Sequence, residues 1–376
     1  MNHKWSYVNG DNLHFIDKAV NFLQHEFSTI DVDQVWSIEY FKWKLSAANP
    51  AGSGYISLAM LDDKVVGIVS LTKKRLLING VQIIGGEVGD SYTTALLRKF
   101  SQPLEPSSLD RDPSSYINRS IFGRLASETR LRAESDGIKL IYGTPNSNAY
   151  PGWTKRLGYL DVQGFSNYSY SRPTWRFIIK KYPNITFTTS LIKAIDNSFI
   201  SIHALLCRLI NSSLRFDLNL PDNDEIEELW MRIKPKMGFS LVRDWAYWQH
   251  RYLEHPLAKY IFFSIRRNDK LVGLVVIRKM LVEGRKNVLL IVEWMTERDV
   301  SFNFILTNIL DVCKEWEIDV FSLYAKVSGQ EAKASLQSFF LKRQRIPVIM
   351  ANTSEGLEIS NIKDHIYFYL GSTDAA

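Results

Sequence analysis

Apolar residues along this chain recur at two spacings. Leu13, Ile16, Val20 and Leu23 follow Asp11 at intervals of three to four, the pattern of a capped amphipathic helix, and Trp36 to Ala47 repeats it. The spacing then changes to alternating or unbroken β-branched runs. Tyr55 to Leu61, Val65 to Leu71, Leu76 to Ile78 and Val81 to Thr93 read as strands, joined by turns at Asp62-Asp63-Lys64 and Asn79-Gly80. From Ala95 to Tyr116 the prolines Pro103, Pro106 and Pro113 sit among serines and charges, which predicts a long surface loop or insertion. Helical spacing returns over Ser120 to Glu134, and Ile141 to Tyr159 reads as strand, loop, short helix and strand.

The pattern then repeats. Tyr247-Trp248-Gln249-His250-Arg251-Tyr252-Leu253-Glu254-His255-Pro256 echoes the stretch from Tyr40 to Pro50. From each proline the register holds, Pro50 to Gly67 and Pro256 to Gly273, so Val66-Gly67 pairs with Val272-Gly273 and, further on, Glu87 with Glu293. A shared helix, turn, hairpin and central strand at fixed offsets implies a tandem duplication of about 190 residues per copy. The second copy continues with a helix at Val300 to Trp316, a strand at Val320 to Ala325, a helix at Gln330 to Phe340 and a last strand near His365 to Leu370. The expected divide falls in Tyr170 to Trp175, giving domains at 1–172 and 173–376, with Phe177 to Lys181 crossing over.

Composition narrows the class. With 376 residues, 45% hydrophobic and 23% charged, the chain has length for two ordinary cores. No apolar run of signal-peptide or membrane-span length is visible, so a cytoplasmic protein without a membrane span is expected. Cys207 and Cys313 lie within apolar-periodic helical segments, as buried thiols rather than a disulfide. The seven histidines are scattered without metal-ligand spacing, and no metal is expected. The net charge of +6 is spread over short groups such as Lys73-Lys74-Arg75, which argues against nucleic acid and suits an anionic small molecule or no partner at all. There is no Gly-x-Ser-x-Gly elbow, P-loop or dinucleotide fingerprint.

Val66-Gly67, Glu87-Val88-Gly89-Asp90-Ser91-Tyr92-Thr93, Ile121 to Leu125 and Tyr142 to Tyr159 together resemble the motifs of the GNAT (GCN5-related) acyltransferases. The resemblance implies an α/β (α+β) fold of two tandem GNAT-like domains, each a mixed, mainly antiparallel sheet flanked by helices. It implies acetyl-CoA or another acyl-CoA as co-substrate and an amine as acceptor. Phe122-Gly123-Arg124-Leu125 and Tyr142-Gly143-Thr144-Pro145-Asn146 are similar to acetyltransferase-like proteins of bacterial surface-polysaccharide clusters, which implies a nucleotide-linked amino sugar. Two rival classes stand beside it: a non-catalytic tandem scaffold or binding protein, and a Fem-type transferase that draws on aminoacyl-tRNA.

The resemblance also assigns residues. Val88, Tyr92 and Thr93 fall on the strand that lines the acyl donor. Arg119, Ser120 and Ile121 fall at the helix start whose amides hold the CoA pyrophosphate, because a helix N-terminus offers unpaired donors and a positive dipole end. The family's glycines are replaced there by Ile117-Asn118-Arg119-Ser120, and in the second copy by the acidic Glu297-Arg298-Asp299-Val300-Ser301-Phe302, which leaves the first copy as the acyl-CoA binder. Asn146 and Asn148 match the family's loop asparagines that touch pantetheine, and are equally good turn formers. Glu87 and Asp90 are the candidate general bases, set against a solvent-facing strand carboxylate and a turn cap. The family's proton-donating Tyr is Thr154 here, one helical turn from Tyr150, which is the candidate in its place. His250 and His255 read as helix-end residues.

Overall fold

The structure, a computed structural model, describes residues 5–27, 36–94, 120–162, 165–171, 186–282, 286–316, 318–326, 340–353, 367–369, 371 and 373. The predicted loop at 95–116, residues 117–119 with Arg119, the crossover at 177–181, positions 330–339 of the predicted helix and the start of the predicted last strand lie outside the described residues. In chain order the described strands are β1 (Trp5–Gly10), β2 (Tyr55–Leu61), β3 (Lys64–Ile78), β4 (Val81–Thr93), β5 (Leu140–Gly143), β6 (Leu160–Val162), β7 (Phe165–Ser171), β8 (Leu214–Asp217), β9 (Phe239–Leu241), β10 (Ile261–Arg267), β11 (Lys270–Val282), β12 (Lys286–Thr296), β13 (Val320–Lys326), β14 (Leu341–Arg345) and β15 (Val348–Asn352). The helices are α1 (Leu13–Glu26), α2 (Ile38–Leu45), α3 (Ile121–Ser135), α4 (Thr186–Ile210), α5 (Asn223–Ile233), α6 (Trp245–Trp248) and α7 (Phe302–Cys313).

The chain divides into two compact units that interleave in sequence. The first takes Met1–Gln163, Met237–Ala258 and Pro347–Tyr367, and the second Gly164–Lys236, Lys259–Ile346 and Phe368–Ala376. Relative to a single cut after residue 172, β7 packs with the second unit while β9, α6 and β15 pack with the first. Each unit is a mainly antiparallel sheet flanked by helices.

In the first unit the sheet order is β1-β2-β3-β4-β5-β15-β6, with β9 added alongside β3. Alternation of side chains sorts the strand residues onto two faces. Ile56, Leu58, Met60 and Ile68 pack under α1 and α2. Tyr55, Ala59, Val69, Leu71 and Val88 pack under α3 with Leu125 and Ala133. The N-cap of α1 is Asn12, whose side chain accepts from the Phe15 amide, one residue later than the Asp11 expected from spacing. The turn at Asp62-Asp63 has φ of 47° and 66°, and Asn79-Gly80 has 48° and 84°, the left-handed pairs that two-residue hairpins need. The strand expected as a separate arm at Leu76–Ile78 is the end of one continuous β3.

In the second unit the sheet order is β14-β7-β13-β12-β11-β10-β8. The duplication reappears at atomic register. Ala59 pairs with Gly67 and Ile265 with Gly273, and each pairing is followed by a bulge. The turn at Asn268-Asp269 repeats the positive φ of Asp62-Asp63, at 49° and 62°. Correspondence weakens on the central strand. Ser70 pairs with Gly89 in the first unit, whereas its counterpart Val276 pairs with Glu293 in the second. Glu293 therefore occupies the register of Gly89, not of Glu87, because the β11–β12 hairpin is three residues shorter than that of β3 and β4: Gly273 pairs with Thr296 where Gly67 pairs with Thr93.

Candidate functional site

The central strand of the first unit parts from its neighbour. β4 and β5 are paired in parallel only at Gly85 with Leu140, Gly86 with Ile141 and Glu87 with Tyr142. β4 runs on to Thr93, so from Val88 onward its backbone on that side lies beyond the ladder. A side chain on Gly143 would bring its Cβ within 2.8 Å of Val88 Cγ2 and 3.0 Å of the Val88 carbonyl oxygen, so the point of divergence requires glycine. Just past it, the register shift between Ile68 and Ser70 bulges β4, and Asp90 takes φ 47°. The left-handed region costs an L-residue about 1–2 kcal/mol, least for a short polar side chain such as Asp.

That strain is offset by what Asp90 binds. Lys44 Nζ and Ser70 Oγ each donate to Asp90 Oδ2 at 2.7 Å, and Trp36 Nε1 donates to Oδ1 at 3.3 Å. Lys44 comes from an apolar stripe position of α2, beside Tyr40, Phe41 and Leu45, and is 2% exposed. Asp90 thus anchors the bulge to α2, where the sequence had offered general base or turn cap. Glu87 points to the same face, buried, with its carboxylate 3.3 Å from Lys74 Nζ. The solvent-facing alternative for Glu87 does not hold. Across the ladder from Glu87, Thr72 Oγ1 is buried with no hydrogen-bond partner.

The remaining candidates fall elsewhere on the unit. Tyr92 donates through its hydroxyl to Glu26 Oε2 at 3.0 Å, and Thr94 Oγ1 donates to Oε1 of the same carboxylate. Ile121 and Thr93 both pack against the Cα of Gly67, where a Cβ would stand 3.1 Å from each, so the start of α3 lies beside the end of β4. Ser120 caps α3, its Oγ accepting from the Gly123 amide at 3.1 Å. Val88, Ile121 and Tyr150 share the α3 side of the sheet with the buried Trp153 and Tyr159. Burial pushes the Tyr159 hydroxyl far above the usual tyrosine range. Tyr150 precedes the short π-helical turn Gly152–Arg156 and donates to Asp161 Oδ2 at 2.7 Å. Asn146 Oδ1 accepts from the amides of Asn148 and Ala149, the turn-forming role; Asn148 is exposed.

The sheet therefore separates the candidates: both carboxylates lie on the α1–α2 face, and Val88, Ile121 and Tyr150 on the α3 face. Lys44, Trp36, Ser70 and Asp161 were missed by the sequence reading. A lysine at a buried stripe position of α2 was the available signal. Aromatic packing extends from α2, where Trp43 stacks on His250 at 5.0 Å and donates its Nε1 proton to the His250 carbonyl at 2.9 Å. Arg75 forms a bidentate pair with Asp244, the N-cap of α6, at 2.6 and 2.7 Å. Among the described residues no group of three or more His, Cys, Asp or Glu is gathered as a metal site, and no described helix is long and apolar enough to cross a membrane.

No protein-family model matches the chain, and no curated protein matches it in sequence. Solved structures do. A conserved protein of Enterococcus faecalis V583, titled a probable N-acyltransferase, superposes with TM-score 0.57 at 11% identity, covering 94% of this chain and 73% of its own. A GCN5-related N-acetyltransferase from Anabaena variabilis gives 0.55 at 14% identity, over 93% and 73%. The chain has the GNAT fold. The Saccharomyces cerevisiae N-myristoyltransferase, solved with bound myristoyl-CoA, gives 0.54 at 13% identity over 93% of this chain and 82% of its own. In the terms of that fold, the parting of β4 and β5 is a V-shaped opening in the sheet, and the second unit repeats it: β12 and β13 pair in parallel only from Val288 with Val320 to Ile291 with Leu323, while β12 continues to Thr296.

Proposed function

We propose that the chain is an acyl-CoA-dependent N-acyltransferase whose donor lies along the opening between β4 and β5 of the first unit. The observation that carries the reading is the combination of that opening with the bulge held at Asp90. Freed strand amides beside a fixed bulge supply donors for a thioester carbonyl and for the oxyanion that forms on it. The acceptor in this reading is the amine of a nucleotide-linked amino sugar in surface-polysaccharide biosynthesis, handled in the cytoplasm.

The chemistry requires a free amine to attack the thioester carbonyl carbon, forming the C–N bond as the C–S bond breaks. The proton lost by nitrogen goes to a carboxylate, directly or through water, and a second proton reaches the departing sulfur. In this assignment Glu87 is the base and Asp90 positions the strand through Lys44. Tyr150, whose hydroxyl donates a hydrogen bond to Asp161 Oδ2 in the resting state, is the acid. Val88, Tyr92 and Thr93 line the donor. Arg119, Ser120 and Ile121 stand at its pyrophosphate, and Asn146 and Asn148 at the pantetheine.

Calorimetry with acetyl-CoA on the wild type and Arg119→Glu tests the donor. Micromolar binding lost in the variant supports it, while no binding by a folded wild type returns the chain to a scaffold or tRNA-dependent role. Tyr150→Phe tests the acid. The expected result is a kcat reduced on the order of 10²-fold with acetyl-CoA affinity unchanged, read by release of free thiol with amino-sugar acceptors.

A further inference from the structure

Helix α4 is apolar on its outward side as well as where it packs in, at Ile200, Ala204 and Cys207. Its contacts with α7 are rich in polar groups: Ser201 with Asp311 at 3.0 Å, Arg208 with Asn308 and Asp311 at 2.6 and 2.7 Å, and Asn197 with Glu315, just beyond α7, at 2.7 Å. Its outward side carries Leu191, Ile195, Phe199, Ile202, Leu205, Leu206, Leu209 and Ile210, each between 51% and 82% exposed. A surface helix of a self-sufficient domain carries polar residues on its outward side. α4 also has no counterpart among the described residues of the first unit. β8 and α5 follow it in the order in which β1 and α1 open the first copy.

We propose that this face is the interface of a homodimer, formed by two copies of α4 packed antiparallel across a two-fold axis. These large side chains, each more than half exposed, present an apolar area of the order of the about 800 Å² per partner that a standard interface buries. Their spacing is self-complementary. Positions 191, 195, 199, 202, 206 and 210 are separated by four, four, three, four and four residues, the same read in either direction. Antiparallel pairing about a two-fold axis between 200 and 201 therefore sets Leu191 against Ile210, Ile195 against Leu206 and Phe199 against Ile202 of the partner, as an isologous interface requires. The cations at the margins are held by their own unit, Lys193 by Glu315 and Arg208 by Asp311. A face that met an anionic bilayer would instead carry lysines and arginines directed outward.

The test is sedimentation of the full chain at 1–50 μM, wild type against Phe199→Glu/Ile202→Glu. Both substituted positions are exposed, so folding is retained, and circular dichroism verifies it. The expected result is a dimer for the wild type and a monomer for the variant. Register is tested by Phe199→Cys/Ile202→Cys, expected to cross-link into a covalent dimer on mild oxidation, against Phe199→Cys/Leu206→Cys, expected to cross-link poorly. A wild type that is monomeric over this range, whether or not it binds phosphatidylcholine–phosphatidylglycerol vesicles, overturns the proposal. So does a dimer that survives the double glutamate, or cross-linking that is equal in the two cysteine pairs.

Discussion

The two units start from one plan and diverge at the central strand. Their first hairpins agree residue for residue, to the φ angles of the turn and the bulge after the paired glycine. Beyond Ser70 and its counterpart Val276 they part. The first unit places a charged residue with positive φ in its bulge and ties it to a buried lysine. In the second, the register shift leaves Val292 without a partner beside Glu293. Glu293 is fully buried, and its carboxylate accepts from the following amide, that of Trp294. The helix that follows differs as well. Before α7, Glu297 and Asp299 each stand in an ion pair, with Arg232 and Arg267 at 2.7 and 2.6 Å. Before α3, Ser120 supplies a neutral cap. A duplicated fold can thus keep its hairpin geometry and its parted strands while the charged groups along the central strand and before the next helix diverge.

The largest effect expected on this contrast is from Lys44→Met. It leaves the partly buried Asp90 carboxylate at a strained backbone position without its cation, and a loss of roughly 3 kcal/mol is expected in urea unfolding. Pairing it with Asp90→Asn should recover part of that loss, and a variant as stable as wild type would show that the bulge does not depend on the pair. Gly143→Val comes next. The close approach to Val88 predicts about 2 kcal/mol of destabilisation by overpacking, and a weakened response to acetyl-CoA, because the strands part at this point. An unchanged acetyl-CoA titration would separate the divergence point from the binding surface.

A smaller effect sharpens the comparison from the second unit. The hydrogen bonds from Arg266 hold the Glu225 carboxyl below the ordinary glutamate range, although burial opposes this. A carboxylate with a depressed folded pKa contributes stability that is fully present above the unfolded pKa of about 4.3 and is lost as pH falls through the folded value. The urea midpoint of the wild type should therefore fall below pH 4.3, and Glu225→Gln should flatten part of that fall. A profile identical in the two proteins would remove Glu225 from the account.

Much of this arrangement was legible in the sequence, for local reasons. Asp62-Asp63 and Asn79-Gly80 mark hairpins because few other residues tolerate successive positive φ. The shared distance from proline to glycine gave the duplication. Cys207 and Cys313 are buried thiols in helices, as their spacing implied. What was not legible is non-local. Strand β15 inserts between β5 and β6, and β9 adds to β3, through pairings that no local period records. The three-residue shortening of the β11–β12 hairpin, which moves Glu293 out of register with Glu87, is hidden because a glutamate stands at the same distance from the glycine in both copies. Periodicity marked the segment around Cys207 as helical but not which face of α4 turns outward. At the candidate site, Asp90 and Glu87 were found because of their strand. Their partners Lys44, Ser70 and Lys74 come from α2 and β3, and only folding brings them there.

The most direct test of the central claim, that an acyl donor lies along the opening of the first unit alone, is hydrogen exchange of the full chain with and without saturating acetyl-CoA. The account predicts slowed exchange in residues 88–93 and 120–125, with residues 292–296 and 302–306 unchanged. Protection confined to the second unit, or none in either while the chain remains folded, would contradict it.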